Sequence, residues 1–258
     1  MQRDPSTPLG MTRNRALVIF FCFTLAIVSS AFAQSDDAFA NANQAFAQGH
    51  FKEAISGYEA LIRSGQWSAN VFYDLGNAYF RVGDFGHAIL NYERALALDR
   101  HHPEADANLR IVRDEARALE MQSSWPERYF QFGSLSQYSV VAAVAFWIGM
   151  FCVFRLIFGR RRSAAIIALS ILSFSTFVIA AFAIYKLENG NNGRALAIVT
   201  GTGVEARFAT ADSANSVLAL PPGSEIKILS TRGDWIYAAL PNNLRGWLPA
   251  KSAELVRL

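Results

Sequence analysis

The sequence predicts a multidomain chain: an α-solenoid of short helical hairpins, a two-helix transmembrane hairpin and a small all-β barrel. Three observations predict it. Eight residues recur at a spacing of 34, two long apolar runs flank an arginine-rich turn, and from Gly193 onward short alternating runs are broken by turn residues. Of the 258 residues, 52% are hydrophobic and 17% charged, against about 25% charged in an ordinary soluble domain. The apolar excess is confined to three runs.

The first run reads as a secretory signal over residues 1–33. Arg13 and Arg15 form its basic start, Ala16 to Val28 its apolar core, and Ala31-Phe32-Ala33 a cleavage site. The core spans 13 residues, short of the roughly 20 needed to cross a bilayer. Translation starts at Met1 or at Met11. Cys22 reads as apolar filler, because Phe20 and Phe21 stand where a lipoprotein anchor needs small residues.

Residues 34–120 carry the repeat. Asn43, Phe46, Gly49, Phe51, Ala54, Ile55, Tyr58 and Glu59 return as Asn77, Phe80, Gly83, Phe85, Ala88, Ile89, Tyr92 and Glu93. The glycines sit between helical patterns, where a C-cap takes a left-handed conformation. The alanines allow close helix approach, and the aromatics fill the space between helices. Glu104 to Glu120 predicts a third, capping helix with Ala105, Leu109, Val112, Ala116 and Leu119 as its apolar stripe.

The second copy resembles the tetratricopeptide repeat, with Phe72, Leu75-Gly76, Tyr79, Gly83-Asp84-Phe85, Ala88, Tyr92 and Ala95 at the pattern's positions. The first copy departs from it, with Ala42 for the glycine and Ala45 for the tyrosine. The resemblance implies a groove lined by the first helix of each repeat. Carried onto this chain, that groove holds Tyr73, Asn77, Phe80 and Arg81, and in the first copy Phe39, Asn43 and Phe46. Asparagine at equal phase in both copies suits a clamp on a peptide backbone, since its amide both donates and accepts. Local capping or packing is the competing use of the same side chains. The basic pattern that would bind a C-terminal carboxylate is absent.

Residues 121–137 form a juxtamembrane linker, with Trp125 to Gln137 a candidate for lying along the bilayer surface. The spans are 138–158 and 163–185, long enough to cross a bilayer. Loop 159–162, Gly-Arg-Arg-Arg, is expected in the cytoplasm by the positive-inside rule, which places both terminal modules outside. Ser170, Ser173, Ser175 and Thr176 read as helix–helix contacts rather than a transport path. Neither span carries Asp, Glu, His or Lys, the groups on which ion and proton paths depend.

In the last segment, 186–258, the expected strands are Ala195–Val199, Ser216–Leu220, Glu225–Ser230, Trp235–Leu240 and Gly246–Pro249. The expected turns are Gly233-Asp234 and Pro241-Asn242-Asn243. Pro222-Gly223-Ser224, Gly233-Asp234-Trp235 and Gly246-Trp247-Leu248 resemble a bacterial SH3-like domain. Trp235, Tyr237 and Trp247 are candidates for an aromatic shelf that binds a peptide or a sugar, or for the filling of a small barrel. Arg232-Gly233-Asp234 reads as a hairpin turn and not as an adhesion motif.

The function classes narrow accordingly. A net charge of +3 with no basic block gives no footprint for nucleic acid. Cys22 and Cys152 both fall in apolar runs, so no disulfide framework or cysteine metal site is expected outside them. His50, His87, His101 and His102 lack further ligands at metal spacing. No nucleophile elbow, phosphate loop or dinucleotide fingerprint occurs. No enzyme, cofactor or metal is expected.

The order of signal, repeats, hairpin and barrel resembles the E-type tetratricopeptide proteins of the Bacteroides aerotolerance (Bat) group. That resemblance implies a protein-binding scaffold of an envelope complex in stress tolerance, with von Willebrand A-domain membrane proteins as partners. It implies the bacterial inner membrane, with both modules on the periplasmic side. The alternative is a sensor or anchor that binds cell wall or peptide through the SH3-like domain. A membrane enzyme or transporter subunit is disfavoured by the lack of titratable groups in the spans.

Overall fold

The structure, a computed structural model, describes residues 37–257 apart from 124, 131, 160–162 and 192. The expected signal at 1–33, with Met11 and Cys22, lies outside the described residues, as do the three arginines of the expected loop. The chain divides into two compact units, one ending at Gly83 and the other beginning at Asp84.

The described part of the first unit is three helices: α1 over 37–47, α2 at Phe51–Arg63 and α3 at Ala69–Arg81. Gly49 and Gly83, at equal repeat phase, both take φ +80°. There Gly49 donates to the Phe46 carbonyl and His50 to that of Ala45, closing α1 with the left-handed cap that the repeat predicts. Ser68 caps α3 by accepting from the Val71 amide at 3.3 Å. Ala42, Ala54, Tyr58, Leu61, Val71, Leu75 and Ala78 form the core.

The first copy's departure at Ala42 is accommodated across the helix pair. Gly57 faces it, and a Cβ built there would come within 3.0 Å of the Ala42 Cβ. The second copy holds Gly76 and Asn91 at these two positions. The small residue has changed helix.

In the second unit, α4 (Phe85–Leu98) packs on α5 (Pro103–Ala116). The expected capping helix is shorter than Glu104–Glu120 suggested. Arg117 turns left-handed at φ 52°, and Ala118 donates to the Arg113 carbonyl. Leu119, assigned to the helical stripe by periodicity, instead packs against a sheet core, and its carbonyl accepts from the Glu225 amide at 2.8 Å.

The short α6 (Trp125–Phe130) precedes α7 (Leu135–Phe158) and α8 (Ala164–Asn189). Ser134 and Gln137 form a reciprocal capping box at the start of α7. Both α7 and α8 are long and apolar enough to cross a membrane, and most of their apolar surface faces outward. They pack through small residues. Ala142, Ala145, Gly149 and Cys152 are buried on α7, and Ser170, Ser173, Ala180 and Ala183 on α8.

The C-terminal segment forms β1 (Leu196–Val199), β2 (Val204–Arg207), β3 (Ser216–Leu220), β4 (Glu225–Arg232), β5 (Trp235–Ala239), β6 (Arg245–Pro249) and β7 (Ala253–Leu255). They make one antiparallel sheet in the order β3-β2-β6-β5-β4-β1-β7. The sheet is open, since the end strands β3 and β7 do not pair with each other among the described residues, and this departs from the expected closed barrel. Five strands match the alternating runs. The other two, β2 of four residues and β7 of three, are not among the expected strands. Val199, Leu220, Ile226, Ile236 and Leu248 lie at the centre of the core.

Candidate functional site

Phe39, Asn43 and Phe46 follow one another along one face of α1, and Tyr73, Asn77, Phe80 and Arg81 along one face of α3. Local contacts hold Phe39, Asn43, Phe46 and Arg81 in place. The Tyr58 hydroxyl donates to Asn43 Oδ1 at 2.6 Å. Burial, with Asp74 nearby, pushes the Tyr58 phenol well above its ordinary pKa and keeps it a donor. Asn43 therefore has one acceptor position of its amide already taken, with its two N–H donors remaining.

Phe39 packs on Tyr58 with centroids 6.1 Å apart, and Phe46 meets Phe51 edge-on at 5.4 Å. The Arg81 guanidinium lies 4.4 Å from the Phe51 centroid. Phe51 thus ties α1, α2 and α3 together. Tyr73, Asn77 and Phe80 are half-buried and present part of their surface to solvent.

The three sheet aromatics fall on one face. Trp235 and Tyr237 alternate on β5 with buried Ile236 and Ala238, and Trp247 alternates on β6 with buried Gly246 and Leu248. They are therefore not core filling. Tyr237 and Trp247 are register partners with centroids 5.0 Å apart, while Trp235 sits opposite Pro249. Arg232 and Arg207 pair in register with Trp235 and Trp247. The result is a half-exposed aromatic strip with guanidinium-bearing positions at its sides.

A third cluster, where α4 and α5 meet the sheet, was not expected from the sequence. Arg113 Nη2 donates to Glu93 Oε1 at 2.5 Å and also to Glu225, and Glu120 lies 3.9 Å from Nη1. The Glu225 side chain is 6% exposed, and its other oxygen accepts from the Met121 amide at 2.8 Å. Three carboxylates share one guanidinium, so burial pushes Glu225 up to about 7 in spite of Arg113. Burial raises Glu93 as well, and the carboxylates hold Arg113 above its usual value against its own desolvation.

Repetition contains a signal for part of this cluster. Glu59 and Glu93 are repeat equivalents, and so are Tyr79 and Arg113. The Tyr79 hydroxyl donates to Glu59 at 2.5 Å, the same 20-residue reach as Arg113 to Glu93. Carrying the period into α5 would have paired Arg113 with Glu93. Nothing local points to Glu225. A cleft of about 460 Å³ opens beside the cluster, and its rim mixes Glu93, Asp106, Glu120 and Glu225 with Arg100, Arg113 and Arg257. Those opposed charges give no single-sign field to select a ligand.

His87 makes a second link between α4 and the sheet. Its Nδ1 lies 2.8 Å from Asp84 and its Nε2 3.6 Å from Glu254 on β7, which Arg94 also pairs at 3.2 Å. The hydrogen bond to Asp84 and the nearby Glu254 carboxylate push His87 up to about 9 against burial, and both carboxylates are held low. A raised imidazole pKa stabilises the fold fully below about 6.5, and that stabilisation is lost as pH rises through about 9. With the ring 31% exposed and Arg94 retaining Glu254, the effect should be about 1–2 kcal/mol after solvent screening. Thermal unfolding of the full chain in detergent should fall from about pH 8 to about pH 9.5, above the midpoint of the Glu225 titration, and His87→Gln should flatten that slope. An equal slope in the variant would show that the link carries no charge.

Among the described residues, no group of three or more His, Cys, Asp or Glu side chains is placed to hold a metal ion. The clusters found are ion pairs and aromatic faces, arrangements suited to holding and binding chains. No curated protein matches the chain. The model of the tetratricopeptide repeat family matches residues 69–102, so the chain contains a repeat whose general role is protein–protein interaction.

Proposed function

We propose that this chain is a non-catalytic scaffold, anchored in a membrane by α7 and α8, that holds protein partners through its repeat face. The observation that carries this reading is the tetratricopeptide repeat at 69–102, in a chain with two helices long and apolar enough to span a bilayer. The binding face is that of Phe39, Asn43, Phe46, Tyr73, Asn77, Phe80 and Arg81, with the half-buried α3 residues as its contact surface. The residues 34–120 act as the repeat domain, and the sheet is an opened relative of the SH3-like domain. The chain takes the E-type role in a Bat-like envelope complex of the inner membrane, with von Willebrand A-domain proteins as partners and both modules periplasmic.

Crosslinking recovery from native membranes tests this reading. Tyr73→Ala with Asn77→Ala should weaken recovery of partners about a hundredfold, at about 1–3 kcal/mol per lost contact, while helicity is retained. Exchange of α7 and α8 for an unrelated apolar hairpin should leave recovery intact. The opposite pattern would move recognition into the bilayer. In the same cells a phosphatase fused after Leu258 should be active and one fused after Arg162 inactive, and the reverse would overturn the orientation.

A second reading is favoured by the half-exposed strip of Trp235, Tyr237 and Trp247: a sensor or anchor for cell-wall glycan or peptide. Sedimentation of the full chain with isolated cell wall, lost in Trp235→Ala with Trp247→Ala, would establish it over the scaffold.

A further inference from the structure

The segment between the repeats and α7 exposes a cluster of large aromatics outside the spans. Trp125 is 74% exposed, Tyr129 70% and Phe132 91%, within eight residues of one another and immediately before α7. Large apolar rings are unfavourable in water relative to burial, yet this segment is held in place. Phe130 packs edge-on against Tyr138 of α7 at 5.9 Å and against Phe182 of α8 at 6.0 Å. Buried Glu127 accepts from the Asn191 amide at 2.9 Å, and Asn191 donates from its side chain to the Gln122 carbonyl at 2.9 Å. The rings are therefore fixed at the end of the hairpin where α7 begins and α8 finishes.

Cationic side chains gather at the same end. Arg100 donates to the Gly133 carbonyl at 3.1 Å, next to Phe132. Arg194 pairs with Glu188 of the last α8 turn at 2.7 Å. Burial and the neighbouring Arg194 and Arg100 charges hold the Arg257 guanidinium below its ordinary value. Aromatic rings beside guanidinium groups at the mouth of a membrane hairpin match the lipid–water boundary, where Trp and Tyr settle and cations meet phosphates.

We propose that the face bearing Trp125, Tyr129 and Phe132 docks on the boundary layer of the bilayer that holds α7 and α8. Arg100, Arg194 and Arg257 meet its anionic phospholipid headgroups. The proposal rests on the membrane-anchor reading, and it adds that the extramembrane part of the second unit is seated on the lipid at a fixed height rather than tethered loosely.

The test reconstitutes the full chain in phosphatidylcholine vesicles, with and without phosphatidylglycerol, using acyl chains brominated near the glycerol or near the terminal methyl. The emission of Trp125 is read as the difference between the parent chain and Trp125→Phe, and that of Trp147, near the middle of α7, from Trp147→Phe. Trp125 should lose its emission to the shallow bromines and Trp147 to the deep ones. Omitting phosphatidylglycerol, or introducing Arg194→Gln with Arg257→Gln, should reduce the Trp125 loss. Trp125 emission untouched by either lipid, while Trp147 is quenched, would overturn the docking face and leave the anchor standing. That result with a blue-shifted Trp125 would give the face to a protein or a second copy. Unquenched Trp147 would overturn the anchor itself. Trp125 quenching indifferent to phosphatidylglycerol would overturn the headgroup assignment.

Discussion

Arg113→Met should destabilise the second unit by about 3–5 kcal/mol, the range for a buried ion cluster that loses its counter-charge. The substitution leaves Glu93 and Glu225 facing each other with no cation, at side-chain exposures of 17% and 6%. Methionine fills similar space, so the loss reports charge and not volume. Thermal unfolding of the full chain in detergent measures it, and limited proteolysis between α5 and α6 should accelerate as the sheet loosens. Adding Glu93→Gln and Glu225→Gln should restore most of the stability. The amides carry no charge to desolvate, and the side-chain carbonyl introduced by Glu225→Gln can still accept from the Met121 amide. A single variant within about 1 kcal/mol of the parent would mean that water, not Arg113, compensates the carboxylates.

Gly223→Val should destabilise by about 2–6 kcal/mol, from two sources that can be separated. Gly223 takes φ +85° in the turn before β4, a conformation that strains a β-branched residue by about 1–3 kcal/mol. A Cβ there would also overlap the Ile89 Cδ1 of α4, with the Ala118 Cβ at 3.4 Å, and overpacking of that kind costs about 1–3 kcal/mol. Gly233 supplies the control, because it takes φ +57° and a Cβ added to it would meet nothing within 4 Å. Gly233→Val carries strain alone, and the excess at Gly223 measures how tightly the sheet turn sits on α4. Equal melting losses for the two variants would remove that contact from the account.

The repeat shows how much of the fold could be read in advance. Helix ends near Gly49 and Gly83 and the alternation on β5 are local effects, legible in the sequence to within a few residues. The two copies also differ where tertiary contact differs. Lys52, Glu53 and Ser56 are exposed on α2, while their equivalents Gly86, His87 and Leu90 lie on a helix that meets the sheet. A Cβ at Gly86 would come within 2.9 Å of the Thr200 backbone, and His87 reaches Glu254. These departures marked a docking face, but a period that is broken signals only that something changed.

The sequence by itself determined the helical repeat, the two apolar helices and the alternating strands, because side-chain period, caps and run length act over a few residues. Only the tertiary structure decided that the sheet stays open, that Leu119 leaves its helix for the sheet, and that Asn43 bonds to Tyr58. It also placed Arg113 between Glu93 and Glu225, the latter 112 residues further along the chain. Such pairings depend on which surfaces meet after the local elements have formed. Burial then sets their charge states, and no local pattern encodes a partner that far away.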